Sequence, residues 1–146
     1  MSRARRLQTL VRLAGMAERN ARLALARSTA EVQRREAQQS QLESFDAEYA
    51  RSWLEAGRAG LPGRDVVALG AFRTSLGRTL DAQRAAVRHA AEARALDTAR
   101  WRVLRERLRI FSDLAGRAAE QEERALEKRR ERMLDELAAR PRGGPE

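Results

Sequence analysis

The densest run of charged side chains, RWRVLRERLR at residues 100–109, sets five arginines against one glutamate around Trp101. Guanidinium groups in that density can neutralise the phosphates of a nucleic acid or the headgroups of an anionic membrane. The spacing favours a plainer use: Trp101, Leu104 and Leu108 recur at steps of three and four, so the arginines are the solvated remainder of an amphipathic helix. The glycines of GLPGRD, residues 60–65, would cradle a phosphate only behind a β-strand, and no strand pattern precedes them, so the segment reads as a turn. There is one histidine, His89, on the flank of a helical stripe, and there is no cysteine. Disulfide scaffolds, thiol nucleophiles and Cys-ligated metals are thereby excluded, and other metal chemistry nearly so. No carboxylate pair and no serine with a base stands in a context that would position it, so the chain reads as a non-enzyme without cofactor or small-molecule substrate. More informative are Phe45, Tyr49, Trp53 and Phe72, four of the six aromatic residues, gathered close to that turn. Rings grouped on a thin scaffold either fill its seam or form an exposed apolar patch of the kind that binds proteins. Both readings stand at this level.

The elements that must carry these groups follow from composition. In 146 residues, 35% are charged, 4% are aromatic, and prolines stand only at Pro62, Pro141 and Pro145. Much of the 42% hydrophobic fraction is alanine, which favours helix but contributes little to a core. A thick globular core is excluded, and a thin two-helix seam is not. No run approaches the ~20 apolar residues needed to cross a bilayer. The arginine-rich start has transit-peptide features, but the same apolar rhythm continues past it. The net charge of +9 is dispersed and attracts acidic partners without identifying them.

Leu7, Leu10, Ala14, Ala17, Ala21, Ala24 and Leu25, then Val32, Leu42, Phe45 and Tyr49, lie on one helical face. The stripe weakens at Glu31, Arg35 and Gln38, where loose packing is expected. A second stripe runs through Leu69, Phe72, Leu76, Leu80, Gln83, Val87 and Ala90, then Trp101, Leu104, Leu108, Phe111, Ala115 and Ala118, with Arg94 and Asp97 as interruptions. The predicted fold class is all-α, a long antiparallel two-helix coiled-coil hairpin with a C-terminal helical overhang. Residues 1–140 form a single hairpin: one helix over about 4–55, a turn over 56–65, a second helix over about 66–140 with Asp65 as its N-cap, and a disordered tail at 141–146. A reversal near residues 60 and 61 pairs position i with roughly 121 minus i, bringing Tyr49 to Phe72 and Phe45 to Leu76. The second helix outruns the first, leaving residues 120–140 without a partner in the chain.

LESFDAEYARSWL before the break, AFRTSLGRTLDAQ after it, and ARWRVLRERLRIF followed by EKRRERMLDELAAR resemble, in order and spacing, the FliJ family of flagellar type III export proteins. The resemblance implies a non-enzymatic, stalk-like component of the flagellar export apparatus that is cytoplasmic and peripheral to the inner-membrane export gate. It implies contact with the cytoplasmic domain of the gate protein FlhA through Gln38, Leu42, Phe45, Tyr49, Phe72, Leu76, Thr79 and Gln83. It further implies docking into the ring of the export ATPase FliI through the end holding both termini, here the regions of Arg5, Arg12, Arg19 and Arg22 and of Arg129, Arg130, Met133 and Leu137. Some members also handle export chaperones. The competing readings are the equivalent stalk of a virulence type III secretion system and a basic coiled coil that binds nucleic acid; a membrane-surface helix is a weaker third.

Overall fold

The computed structural model describes residues 2–141, which form two α-helices and no strand: α1 (Arg3–Arg58) and α2 (Gly63–Ala139). The helices pack against each other as a hairpin. Ser2 starts α1 as an N-cap, its Oγ accepting from the Arg5 N–H at 3.2 Å and its carbonyl from the Arg6 N–H at 3.1 Å. Past α2, Pro141 is exposed, and the rest of the tail expected at 141–146 lies outside the described residues.

The link between the helices is shorter than the sequence suggests. Gly57 and Arg58 continue α1, and α2 begins at Gly63, so four residues, 59–62, make the reversal. A helical glycine costs only about 1 kcal/mol relative to alanine, less than the backbone hydrogen bonds lost by ending the helix early. The closure sits at Gly60, the one described residue with positive φ, at 79°. The Leu61 N–H donates to the Ala56 carbonyl at 3.2 Å, the six-residue bond that ends a helix through a left-handed glycine. Any side chain with a Cβ would be held there at a cost of about 1–2 kcal/mol. The cap expected at Asp65 is instead made by Pro62, whose carbonyl accepts from the Asp65 N–H at 2.9 Å and the Val66 N–H at 3.3 Å. Asp65 stands in the first turn, where its charge complements the helix dipole.

Two compact units divide the chain: one is Ala21–Trp101, the other Met1–Asn20 with Arg102–Glu146. The first unit contains the turn, and its buried positions are Ala21, Val32, Leu80 and Ala90. Its helices run antiparallel in the predicted register, Tyr49 lying against Phe72 and Gln38 against Gln83. The polar interval expected to pack loosely is instead organised. Gln83 donates to the Arg35 carbonyl at 2.9 Å and to Gln38 Oε1 at 3.1 Å, while Arg34 and Arg35 both pair with Glu31 at 2.8 Å. Val32, within this interval, is the most fully buried large side chain among the described residues, at 1% exposure. A seam only two helices thick can accept polar neighbours because their outer ends still reach water.

In the second unit the buried residues are small, Ala4, Ala14, Gly15, Ala115 and Ala118, and they admit close helix approach. Glu18 is buried among them, a departure from the apolar stripe. Leu108 Cδ1 lies 3.9 Å from the point a Gly15 side chain would occupy. The Ala4 N–H, one of the unpaired donors of the first turn of α1, donates to Glu122 Oε1 at 3.2 Å. The stretch without a partner therefore starts later than the residue 120 expected: from 123 onward every described residue is exposed.

Candidate protein-docking surface

The eight candidate gate-contact residues all belong to the turn-containing unit. Gln38, Leu42, Phe45 and Tyr49 are spaced four, three and four apart on α1, as are Phe72, Leu76, Thr79 and Gln83 on α2, so each set occupies one helical face. Two cross-helix contacts join them. The Tyr49 and Phe72 rings stand 4.8 Å apart, tilted by 59°, within the range of favourable edge-to-face pairs. Gln83 reaches Gln38 by its side-chain amide hydrogen bond. Leu42 and Leu76 are half-buried between these contacts in sequence, and Thr79 is exposed with its hydroxyl donating to the Ser75 carbonyl at 3.2 Å.

Exposure bears on both readings of the aromatic cluster. Phe45, Tyr49 and Phe72 keep 44%, 36% and 48% of their surface in solvent. Both readings hold in part: Tyr49 and Phe72 touch across the seam and Trp53 is half-buried in it, while the open faces of Phe45, Tyr49 and Phe72 leave an apolar patch at its edge. A polar pair accompanies the half-buried Leu42, Leu69 and Leu76 of this unit: Arg73 Nε pairs with Asp46 Oδ1 at 3.7 Å, and the Arg73 guanidinium lies 5.6 Å from the centre of the half-buried Trp53 ring. Gly70 admits that indole, whose Cζ2 comes within 3.7 Å of the glycine's missing Cβ. Asp46, Trp53, Gly70 and Arg73 also line a shallow groove with Thr74 and Gly77. Asp46 and Arg73 did not emerge from sequence, because a charged pair inside a stripe looks like an interruption of it. The available signal was their heptad-like spacing from Leu42, Tyr49, Leu69 and Leu76.

The candidate ATPase-docking residues divide between the units. Arg5, Arg12, Arg19, Arg129, Arg130, Met133 and Leu137 belong to the unit holding both chain ends, and Arg22 belongs to the other. All eight are exposed. Arg12 donates to Thr9 Oγ1 at 3.4 Å. The same unit exposes an apolar set that sequence reasoning overlooked, Leu13, Met16, Val103 and Ile110, of which Leu13 lines a groove with Leu10, Ala14, Ala17, Leu104, Arg107 and Phe111. The signal was present as apolar residues lying off the main stripes, at positions where an isolated hairpin needs polar ones.

The arginine run at 100–109 behaves as a solvated face. Trp101, Leu104 and Leu108 are half-buried, while Arg100, Arg102, Arg105, Arg107 and Arg109 are exposed. Arg109 pairs with Glu106, and that hydrogen bond, the largest influence, holds the Glu106 carboxyl below its ordinary range. His89 is exposed. Among the described residues no group of three metal-ligating side chains converges, and no helix is long and apolar enough to cross a membrane.

The family model described as "Flagellar FliJ protein" covers residues 2–142. No curated protein and no solved structure matches the chain.

Proposed function

This chain belongs to the FliJ family, and on that premise we propose that it bridges the export ATPase ring and the export gate. It is a non-catalytic stalk component of the flagellar export apparatus. The matching family is described as flagellar, which favours the flagellar system over a virulence one. In the proposed arrangement the patch of Gln38, Leu42, Phe45, Tyr49, Phe72, Leu76, Thr79 and Gln83 binds the cytoplasmic domain of the gate protein FlhA. The surfaces around Arg5, Arg12, Arg19, Arg22, Arg129, Arg130, Met133 and Leu137 meet the ATPase FliI, and export chaperones are further partners. The protein works in the cytoplasm, at the periphery of the gate.

The observation that carries this reading is the exposed Phe45, Tyr49 and Phe72 set. The 36–48% of each ring left in solvent costs solvation free energy, at roughly 25 cal/mol per Å² of apolar surface, and a docked partner recovers it. Aromatic anchors of this kind dominate protein interfaces. The mechanism is one of coupled affinities: nucleotide-dependent events at one docking surface bias occupancy at the other, with no chemistry on the chain itself.

Co-purification with the cognate export ATPase, followed by an assay of ATP hydrolysis, tests the bridge. A stable complex with a changed hydrolysis rate is expected. Failure to co-purify, together with an unchanged rate, refutes ATPase docking.

A further inference from the structure

Residues 123–139 of α2 present Leu126, Met133, Leu134 and Leu137 to solvent at 52–65% exposure. Leu126, Arg130, Met133 and Leu137 recur at four, three and four, a narrow seam-like stripe. A stripe by itself does not say what covers it, but the charges around this one do. Residues 120–127 hold four acidic groups and one basic, residues 128–132 hold four basic and one acidic, and residues 133–139 hold two acidic and none basic. Aligned end for end, this order sets like charge on like, and only an antiparallel copy staggered by a few residues brings basic side chains opposite acidic ones. In the register that the stripe sets, an antiparallel second copy lays Lys128, Arg129 and Arg130 opposite residues 133–135, which include Asp135, and the reverse contact repeats across the two-fold axis.

The register is set by the stripe. Leu126 facing Leu137, with Arg130 facing Met133, fills the seam from both copies. Arg129 and Glu136 then fall on the same flank and oppose each other twice, once on either side of the axis. A parallel pair in register would place basic blocks against basic blocks and leave Arg129 opposite Leu134, with neither advantage.

We propose that the free chain self-associates through residues 123–139 as an antiparallel, two-fold symmetric pair of helices, a second copy of this chain being the occupant of the stripe. The paired length is about 26 Å, short of what a standard-size interface uses, and Arg130 interrupts its apolar seam. The affinity is accordingly weak, on the order of tens of micromolar, and the dimer dissociates on dilution. The dimer covers Arg129, Arg130, Met133 and Leu137, so it is exclusive with any partner using that surface, but it stands whether or not the ATPase does.

Sedimentation velocity on the full-length chain over a wide concentration series tests this, with circular dichroism confirming that helicity is unchanged. Dimer formation is expected for the wild type. R129E and E136R should each weaken it about tenfold, since each turns two attractive contacts into repulsive ones. An equimolar mixture of the two variants should restore it, because the new acidic group of one chain faces the new basic group of the other. A chain that stays monomeric at the highest concentration overturns the proposal. So does a dimer indifferent to R129E, or a mixture no tighter than either variant alone.

Discussion

Alanine at both Phe72 and Leu76 is expected to weaken binding to the cytoplasmic domain of the export gate by about a hundredfold or more while the chain stays helical. The size follows from the role of such side chains: a central aromatic or aliphatic anchor typically contributes ~2 kcal/mol when truncated, and two neighbours together exceed a factor of about a hundred even when they are not additive. Phe72 is the stronger member, because it is 48% exposed and already held by the Tyr49 ring at 4.8 Å, so little ordering remains to be done on binding. Leu76 is half-buried and contributes to the seam as well, which lowers the melting temperature of the double variant somewhat. A pull-down or calorimetric titration, with circular dichroism beside it, separates the two effects. Unchanged affinity would exclude the patch as the gate contact and leave the aromatic cluster as an edge feature of the seam.

The largest loss of stability is expected from Val32→Asp. Val32 is 1% exposed, and placing a carboxylate there buries an unpaired charge in addition to removing apolar contact. A cost of about 3–5 kcal/mol is expected, a large share of the roughly 5–15 kcal/mol that holds a small domain together. Val67→Asp is the matched comparison: the same chemical change at 72% exposure should alter stability by no more than about 0.5 kcal/mol. Chemical denaturation of both variants checks the contrast. Similar midpoints would mean that the seam around Val32 does not hold the unit together.

Much of this architecture was legible because a two-helix seam writes itself into sequence twice, once on each arm of the hairpin. The stripes fixed the faces, and the turn fixed the register closely enough that Tyr49 with Phe72 and Gln38 with Gln83 fell opposite as the spacing requires. The helix ends were less legible. Gly57 and Gly63 look like breakers in a string of letters, yet a helix already held by packing absorbs their cost and continues through them. Asp46 with Arg73, and the buried Glu18, were hidden for a different reason. Periodicity ranks positions by hydrophobicity, so it cannot distinguish a polar residue that is satisfied inside a seam from one that has left it. Glu122 shows the same limit, since its reach to the backbone N–H of Ala4 depends on where another helix begins.

The exposed terminal stretch of α2 also contains Lys128, the only lysine in the chain. Elsewhere arginine supplies all the side-chain positive charge, so a lysine-specific protease finds a single scissile site, and that site lies in exposed helix that no other part of the same chain shields. One clean cut there would release the terminal peptide and leave Tyr49 with Phe72, Gln38 with Gln83 and Ala4 with Glu122 on the larger fragment. The same amine gives acylating reagents one side-chain address, at which a fluorophore or cross-linker would report on this surface alone.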